Sequence, residues 1–462
     1  MYRVRQLAER TPAGRERYLD LLRALAICLV VVGHWTDVVV VYDSSGHLTV
    51  IDALTDLAWA RPLTWIFQVI PVFFLVGGFA NAASLTNSQA RGGNVAEWLL
   101  DRSARLIGPT TVLLLTLAVG SLVGRLSGAD PVQIRTVVSL LTIPLWFLSA
   151  YVAVVGLTPI MYPLHRRVGF LVPLVLLVLV AAGDVGRLLG HGRVSGGNFL
   201  FGWLVIHQIG FAWYDALRDR TGRAAGDGLR RLLPRRLPTG RPAAISLLLV
   251  GFGGLLLLTV VGPYPVQMIT VPGERLDNSS PPSLALLALA TLQLGLILLL
   301  HRPIERWLRR PRPWRAVIGV NAVVLTVFLW HLSAVLLLVG VLNLVHWLPS
   351  APVGGGTWWA LRALWVLALA VVLLPLVTVL GPIEMRTVRR TRHRHREPAG
   401  TGRADTARTL LTAIGYAGVV AGLVINTMTP MSAPEPLGLP LGTLVAYLIG
   451  AGILRLLRST RP

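Results

Sequence analysis

Arg17-Tyr-Leu-Asp-Leu-Leu-Arg23-Ala-Leu-Ala-Ile-Cys-Leu-Val-Val-Val-Gly-His34-Trp35 decides how the rest of the chain is read. The segment starts basic, turns apolar at Ala24 and then sets a histidine among valines. Arg23 and His34 are eleven residues apart. In an α-helix that is three turns plus ~20°, so one face carries both. The rise between them is ~16 Å, about half of a ~30 Å hydrocarbon core. With Arg23 at one membrane edge, the spacing predicts His34 near mid-depth. Asp20 and Asp37, one turn outside the pair at either end, share that face. A carboxylate three residues from an imidazole orients one ring nitrogen and raises the basicity of the other. Singly, the arginine is an ordinary helix flank and the histidine an ordinary core hydrogen-bonder. Together, with a carboxylate beside each, they mark a functional face, because a titratable group at mid-membrane is costly.

The whole chain agrees with a membrane setting. It has 462 residues, 54% hydrophobic and only 14% charged, with a mean hydropathy of +0.66. No hydrophilic stretch is long enough for a separate soluble domain. The net charge of +22 would suit a nucleic-acid binder, but the arginines sit in short loops between apolar runs, so nucleic acid is not an expected partner. Cys28 is the single cysteine, which excludes an intrachain disulfide and a cysteine-based metal site. The basic-then-apolar start has the outline of a signal peptide. The run Ala24–Val41 is long, however, and no small-x-small cleavage pattern follows, so a retained first span is expected.

Twelve apolar windows are long enough to span, near 22–42, 64–84, 106–126, 139–162, 168–185, 198–216, 243–262, 283–301, 316–345, 358–380, 409–427 and 438–457. The ninth is long enough to tilt or break. Alternating sides from a cytoplasmic N-terminus places 36 of the 43 basic residues, all arginines, on one side. That bias predicts an even number of spans with both termini cytoplasmic. The expected fold is an all-α polytopic bundle: a ten-helix core over 1–380, a cytoplasmic linker over 381–408 and a two-helix hairpin over 409–462. The linker's tract Arg389-Arg-Thr-Arg-His-Arg-His-Arg396 reads as a polybasic segment attracted to anionic lipid, and no metal site is expected there. The Pro- and Ser-rich loop 263–282 reads as irregular.

Further candidates follow along the chain. Pro71-Val-Phe-Phe-Leu-Val-Gly77-Gly78-Phe79-Ala-Asn81 lets a backbone or ligand approach closely and adds a polar group one turn later. Arg102 and Arg105, at i and i+3, share a face at the expected start of the third helix, where two guanidiniums could grip a phosphate. Pro144-Leu-Trp-Phe-Leu-Ser-Ala-Tyr151 opens the fourth span. His207-Gln208 lies in the sixth, and Asn321 and His331 lie in the ninth. As a set with His34, the intramembrane histidines suggest a polar cavity inside the bundle.

In order, these pieces resemble the bacterial membrane acyltransferase-3 family. Its first helix carries an Arg-x10-His signature like Arg23…His34. Phe73-Phe-Leu-Val-Gly-Gly78-Phe79 is similar to its Phe-Phe-x-x-Ser-Gly-Phe, with Gly77 where serine is usual. Arg102-x-x-Arg105 matches its cytoplasmic Arg-x-x-Arg. Trp146-Phe-Leu-Ser-Ala-Tyr151 resembles a Trp-Ser-Leu-x-x-Glu segment, with tyrosine where many members have glutamate. Leu329-Trp-His331 resembles a late Tyr-Leu-Trp-His. The likeness covers roughly residues 15–380, and its two departures point to a subgroup.

The resemblance implies an enzyme of the bacterial plasma membrane. It would move an acyl group, acetyl above all, from cytoplasmic acyl-CoA to a hydroxyl of an extracytoplasmic glycan, glycolipid or secreted glycosylated product. It implies His34 as base or acyl relay with Asp37 orienting it, and Arg23 at the thioester oxyanion or the pantetheine phosphates. Arg102 and Arg105 would sit on the CoA phosphates, with Asp20, Asn81, Tyr151, His207, Asn321 and His331 as further cavity residues. Two rivals stand beside this. A proton-coupled transporter also needs intramembrane Arg, His and Asp, although no repeat between halves is visible. A lipid-linked glycosyltransferase would place paired acids in the first external loop, where Asp43, Asp52 and Asp56 are not adjacent.

Overall fold

The protein is described from a computed structural model covering residues 9, 11, 14–42, 48–218, 234–270, 276–349, 351–392, 403–430, 435 and 437–459. The first helix, α1 (Arg17–Asp37), leads into a β-hairpin of β1 (Val38–Tyr42) and β2 (Leu48–Asp52), then the short helices α2 (Ala53–Asp56) and α3 (Thr64–Phe67). The bundle continues with α4 (Ile70–Gln89), α5 (Val95–Leu126), α6 (Pro131–Thr142), α7 (Pro144–Val168), α8 (Leu171–Leu188) and α9 (Asn198–Arg218). After these come α10 (Arg241–Leu256), α11 (Leu284–Trp307), α12 (Pro311–Asn321), α13 (Val324–Leu344) and α14 (Gly356–Arg392). The hairpin α15 (Arg403–Met428) and α16 (Leu441–Ser459) ends the described chain. The all-α polytopic bundle expected from the sequence is therefore what forms, with one small two-stranded sheet added.

Among the described residues, eleven helices are long and apolar enough to cross a membrane. The sixth expected span, α9, is the one outside that set: it has the length but carries Asn198, His207, Gln208 and Asp215. It tolerates them by being enclosed: Trp203, His207, Gln208, Phe211 and Trp213 are buried along its length.

Two compact units make up the chain. One comprises Met1–Ala83, Thr158–Asn321 and Ser350–Arg362, and the other Ser84–Leu157, Ala322–Pro349 and Ala363–Pro462. In the first unit, α4 and α9 cross at glycines. A Cβ on Gly78 would stand 2.1 Å from the His207 carbonyl oxygen, and one on Gly210 would stand 2.3 Å from that of Leu75. Phe74 stacks on Trp203 beside the crossing, ring centroids 4.6 Å apart. Small residues let backbones meet where lipid offers no hydrophobic drive for association.

In the second unit the hairpin α15–α16 packs onto α5 and α6. Tyr447 Oη donates to Ile107 O at 3.1 Å and lies 3.1 Å from Thr111 Oγ1. The buried Arg135 guanidinium donates to Gly438 O at 2.8 Å and Thr429 O at 3.0 Å, closing the turn of the hairpin.

The structure corrects three boundaries. The first window was placed at 22–42, but the helix stops at Asp37 and Val38–Tyr42 is a strand, paired Val38↔Asp52 through Tyr42↔Leu48. A run of valines is apolar enough for a span but β-branched, and satisfies its backbone in a ladder once a partner strand follows. His34 therefore sits in the last turn of α1, not in the middle of a helix. The window 139–162 straddles two helices, because Pro144 opens a new one after Ile143. The ninth window breaks, as its length allowed, into α12 and α13. The described residues of the loop 263–282 form no helix or strand but are tied down. Asn278 Nδ2 donates to Pro265 O and Gln267 O, each at 2.8 Å, and Gln68 Nε2 donates to Met268 O at 2.6 Å. Of the linker, α14 reaches Arg392 and α15 begins at Arg403. The His-Arg part of the polybasic tract lies outside the described residues.

Candidate active site

The start of α1 is held by an unusual number of polar contacts. Its Glu16 N-cap makes no capping bond of its own. Glu305 of α11 supplies one instead, accepting from Tyr18 N at 2.8 Å and Arg17 N at 3.4 Å. A carboxylate on the first N–H groups satisfies donors that lipid cannot and complements the helix dipole. Arg17 Nη1 donates to Leu308 O at 2.8 Å, with its guanidinium 4.9 Å from the centre of the Trp314 ring. Asp20, buried, takes a bidentate pair from Arg15 at 2.7 and 2.9 Å and lies 3.7 Å from Arg23 Nη1. The same pair pushes the Arg15 guanidinium pKa up, the hydrogen bond to Asp20 being the largest cause. Asn321, at the end of α12, donates to Asp20 O at 2.8 Å. Asp20 and Arg23 stand one turn apart on α1, and Asn321 of α12 meets the Asp20 backbone carbonyl there. Arg23 is partly exposed and shares Asp20 with Arg15.

At the far end of the helix, His34 is only partly enclosed and its carbonyl accepts from Val38 N, ending α1. Asp37 Oδ1 accepts from Leu54 N at 3.1 Å, so this carboxylate anchors α2. Arg362 of α14, one of the seven arginines that the sequence count left on the minority side, is buried here. Its Nη2 donates to Val38 O at 2.7 Å and it packs over Trp358, with Asp37 as its electrostatic partner. A lone arginine within an apolar helix was the signal that could have found it.

His207 meets Asn81 across the α4–α9 crossing, Nδ2 to Nε2 at 3.0 Å, and its ring stands edge-on to Phe211. With Asn81 donating, the neutral ring carries its proton on Nδ1. Nearby, Tyr162 Oη donates to Asp215 Oδ1 at 2.8 Å, and His165 Nε2 is 3.1 Å from Arg235 O and 3.9 Å from Asp215 Oδ2. None of that buried trio was singled out from the sequence, where His165 reads as part of the basic helix end His165-Arg166-Arg167.

The second unit holds the remaining candidates. Helix α5 starts at Val95, eleven residues before the window drawn from hydropathy. Asn94 caps it through Glu97 N at 2.8 Å, and Trp98 is buried beside Ser84. Arg102 and Arg105 therefore lie two to three turns into the helix and do not have its N-terminus at their disposal, a correction to the sequence picture. They keep the shared face, Arg102 partly buried and Arg105 exposed. Tyr151 stacks on Phe147, 5.8 Å between centroids. His331 is buried, with Nδ1 2.7 Å from Phe328 O on its own helix; that bond makes Nδ1 the donor and leaves Nε2 the acceptor. Tyr416 of the hairpin reaches this group. It packs at 3.3 Å from where a Gly156 Cβ would be and interacts electrostatically with Arg102 and Tyr151.

Buried carboxylates, imidazoles and guanidiniums on membrane-spanning helices are costly and mark candidate functional positions. Residues 16–381 match the Acyl_transf_3 family, described as an acyltransferase domain. The chain belongs to that family and is a membrane acyltransferase. The hairpin α15–α16 lies beyond the matched residues. No curated protein and no solved structure matches the chain.

Proposed function

We propose that the protein transfers an acyl group, acetyl first among them, from acyl-CoA to a hydroxyl of a glycan, glycolipid or secreted glycosylated acceptor. The donor is taken on the cytoplasmic side and the acceptor on the other, in a bacterial plasma membrane with both chain termini cytoplasmic. One observation carries this reading: Arg23 and His34 lie on one face of the single unbroken helix α1. Their ~16 Å rise is too long for both to touch one carbonyl. It matches the pantetheine arm of CoA, about four to five extended peptide units long. Arg23 then holds the phosphate end of that arm and His34 receives the thioester end.

In the transfer, the His34 imidazole takes the proton of the acceptor hydroxyl while its oxygen forms a bond to the thioester carbon. The C–S bond breaks, and the CoA thiolate takes the proton back from the imidazolium. Asp37 and Arg362 fix the end of α1 that carries the base.

The test is acetyl-CoA consumption in proteoliposomes containing acceptor lipid extract. His34→Ala, folded to the same extent, is expected to lose about 10²–10⁴-fold in kcat. Arg23→Ala should raise KM for acetyl-CoA more than it lowers kcat. Full activity in His34→Ala would remove the base from the scheme. Wild-type protein that neither binds nor consumes acyl-CoAs would turn the reading to transport.

A further inference from the structure

A cavity of about 420 Å³ opens in the first unit where α9 ends, α10 begins and α11 ends. Arg241, Arg302 and Arg306 line it, with His301, Thr239 and Trp213. All three arginines are exposed, and no carboxylate is among the described residues of the lining. Acids on the surrounding elements already have partners, Asp215 accepting from Tyr162 Oη at 2.8 Å. Glu305 caps α1 through Tyr18 N, and Glu16 Oε2 lies 3.4 Å from His301 Nε2. Helix α10, sixteen residues long, starts at the cavity wall with Gly240 as N-cap, and no side chain caps its first N–H groups. Trp213 is 1% exposed, and its indole N–H is buried with no hydrogen-bond partner among the described residues.

We infer that this cavity is a binding site for a phosphorylated ligand of nucleotide size, held by Arg241, Arg302 and Arg306 with the start of α10. Guanidiniums give phosphate oxygens paired charge-assisted donors, and the helix N-terminus, where Pro242 leaves the N–H groups of Arg241 and Ala243, adds a favourable dipole. The volume lies in the range of small-molecule pockets and exceeds the need of a lone inorganic ion. The Trp213 ring forms part of the wall, edge-on to His301. Two sources offer this chemistry: the nucleotide end of CoA, or the headgroup of an anionic phospholipid. For the first source the inference rests on the acyl-CoA reading above. The site itself does not, and its residues are distinct from Arg102 and Arg105.

The experiment uses the purified full chain at low salt, titrated with inorganic pyrophosphate and with CoA, while co-purifying phospholipid is measured by mass spectrometry. The variants are R241Q/R302Q/R306Q, its all-lysine counterpart as a fold- and charge-preserving control, and R309Q/R310Q as a control for arginines outside the cavity. The triple glutamine variant is expected to bind pyrophosphate at least about tenfold more weakly, with the lysine variant closer to wild type and R309Q/R310Q unchanged. A parallel loss for CoA assigns the site to the donor's nucleotide end. CoA binding retained with loss of co-purified anionic phospholipid assigns it to a lipid headgroup. Unchanged pyrophosphate binding in the triple variant, or an equal loss in R309Q/R310Q, overturns the site. Acetyl-CoA turnover is measured on the same samples. Absent turnover with pyrophosphate binding intact would sink the transferase scheme and leave the site standing.

Discussion

Two glutamates do at a distance what N-cap residues do locally. Glu305 closes the start of α1, and Glu384 accepts from Thr326 N at 2.9 Å and Thr326 Oγ1 at 2.7 Å to close the start of α13. Neither helix has a capping side chain of its own. Where water is scarce, the first N–H groups of a helix need a protein partner, and a carboxylate is the strongest neutral-pH choice. Glu305→Ala should therefore cost about 1–2 kcal/mol and Glu305→Gln less, read as a lowered melting temperature of the detergent-solubilised protein. A second residue gives a pH signature. Burial pushes the Asp52 carboxyl up at the end of β2. A raised folded-state value means the charge opposes folding, so this residue's contribution worsens as pH rises from below an ordinary carboxylate's ~4 to above the raised value. Asp52→Asn should leave the melting temperature nearly unchanged in acid and raise it at neutral pH. A gain that is the same at both ends of the range would contradict the assignment.

At the scale of elements, the α4–α9 crossing is the least tolerant contact in the first unit. The Gly78 Cα faces a carbonyl, so no rotamer change relieves an added methyl; the helices must part. Gly78→Ala is expected to destabilise by about 1–3 kcal/mol and to disturb the Asn81–His207 hydrogen bond one turn away. Thermal unfolding checks the first effect. If Gly78→Ala unfolds at the wild-type temperature, the two backbones are not in contact. The β-hairpin has the opposite character. It carries a partly exposed rim at Tyr42 and Val50, and its base is pinned by Asp37 at Leu54 and by Arg362 at Val38. Those two anchors fix where α1 stops and hence where His34 stands.

For the whole molecule, the class and most helices were legible because span length and arginine placement are properties of local sequence. The placement of Asp20 one turn from Arg23 followed from helix spacing, whereas the partner that holds Asp20 most closely, Arg15, and the contact with Asn321 drew no notice. What sequence could not show follows from distance along the chain. Arg362 meets Val38 across 324 residues, and Glu305 meets Tyr18 across 287. No local pattern marks a capping carboxylate that far away. The end of α1 was misplaced for a different reason: a valine run satisfies the criteria for a span and for a strand alike, and only the pairing with β2 decides. The start of α5 was missed because its first two turns are helical through Asn94 capping and Trp98 burial, not through hydropathy.

The cap that Glu305 gives α1 also sets an order of events during biosynthesis. Translation proceeds at about 5–20 residues per second, so the glutamate is made some fifteen to sixty seconds after Tyr18. During that interval the first helix occupies the bilayer with its amino end unsealed, and a chain cut short before residue 305 never seals it. The helix that carries Arg23 and His34 thus reaches its final form only after most of the protein exists, when the elements that pack around it have already been made.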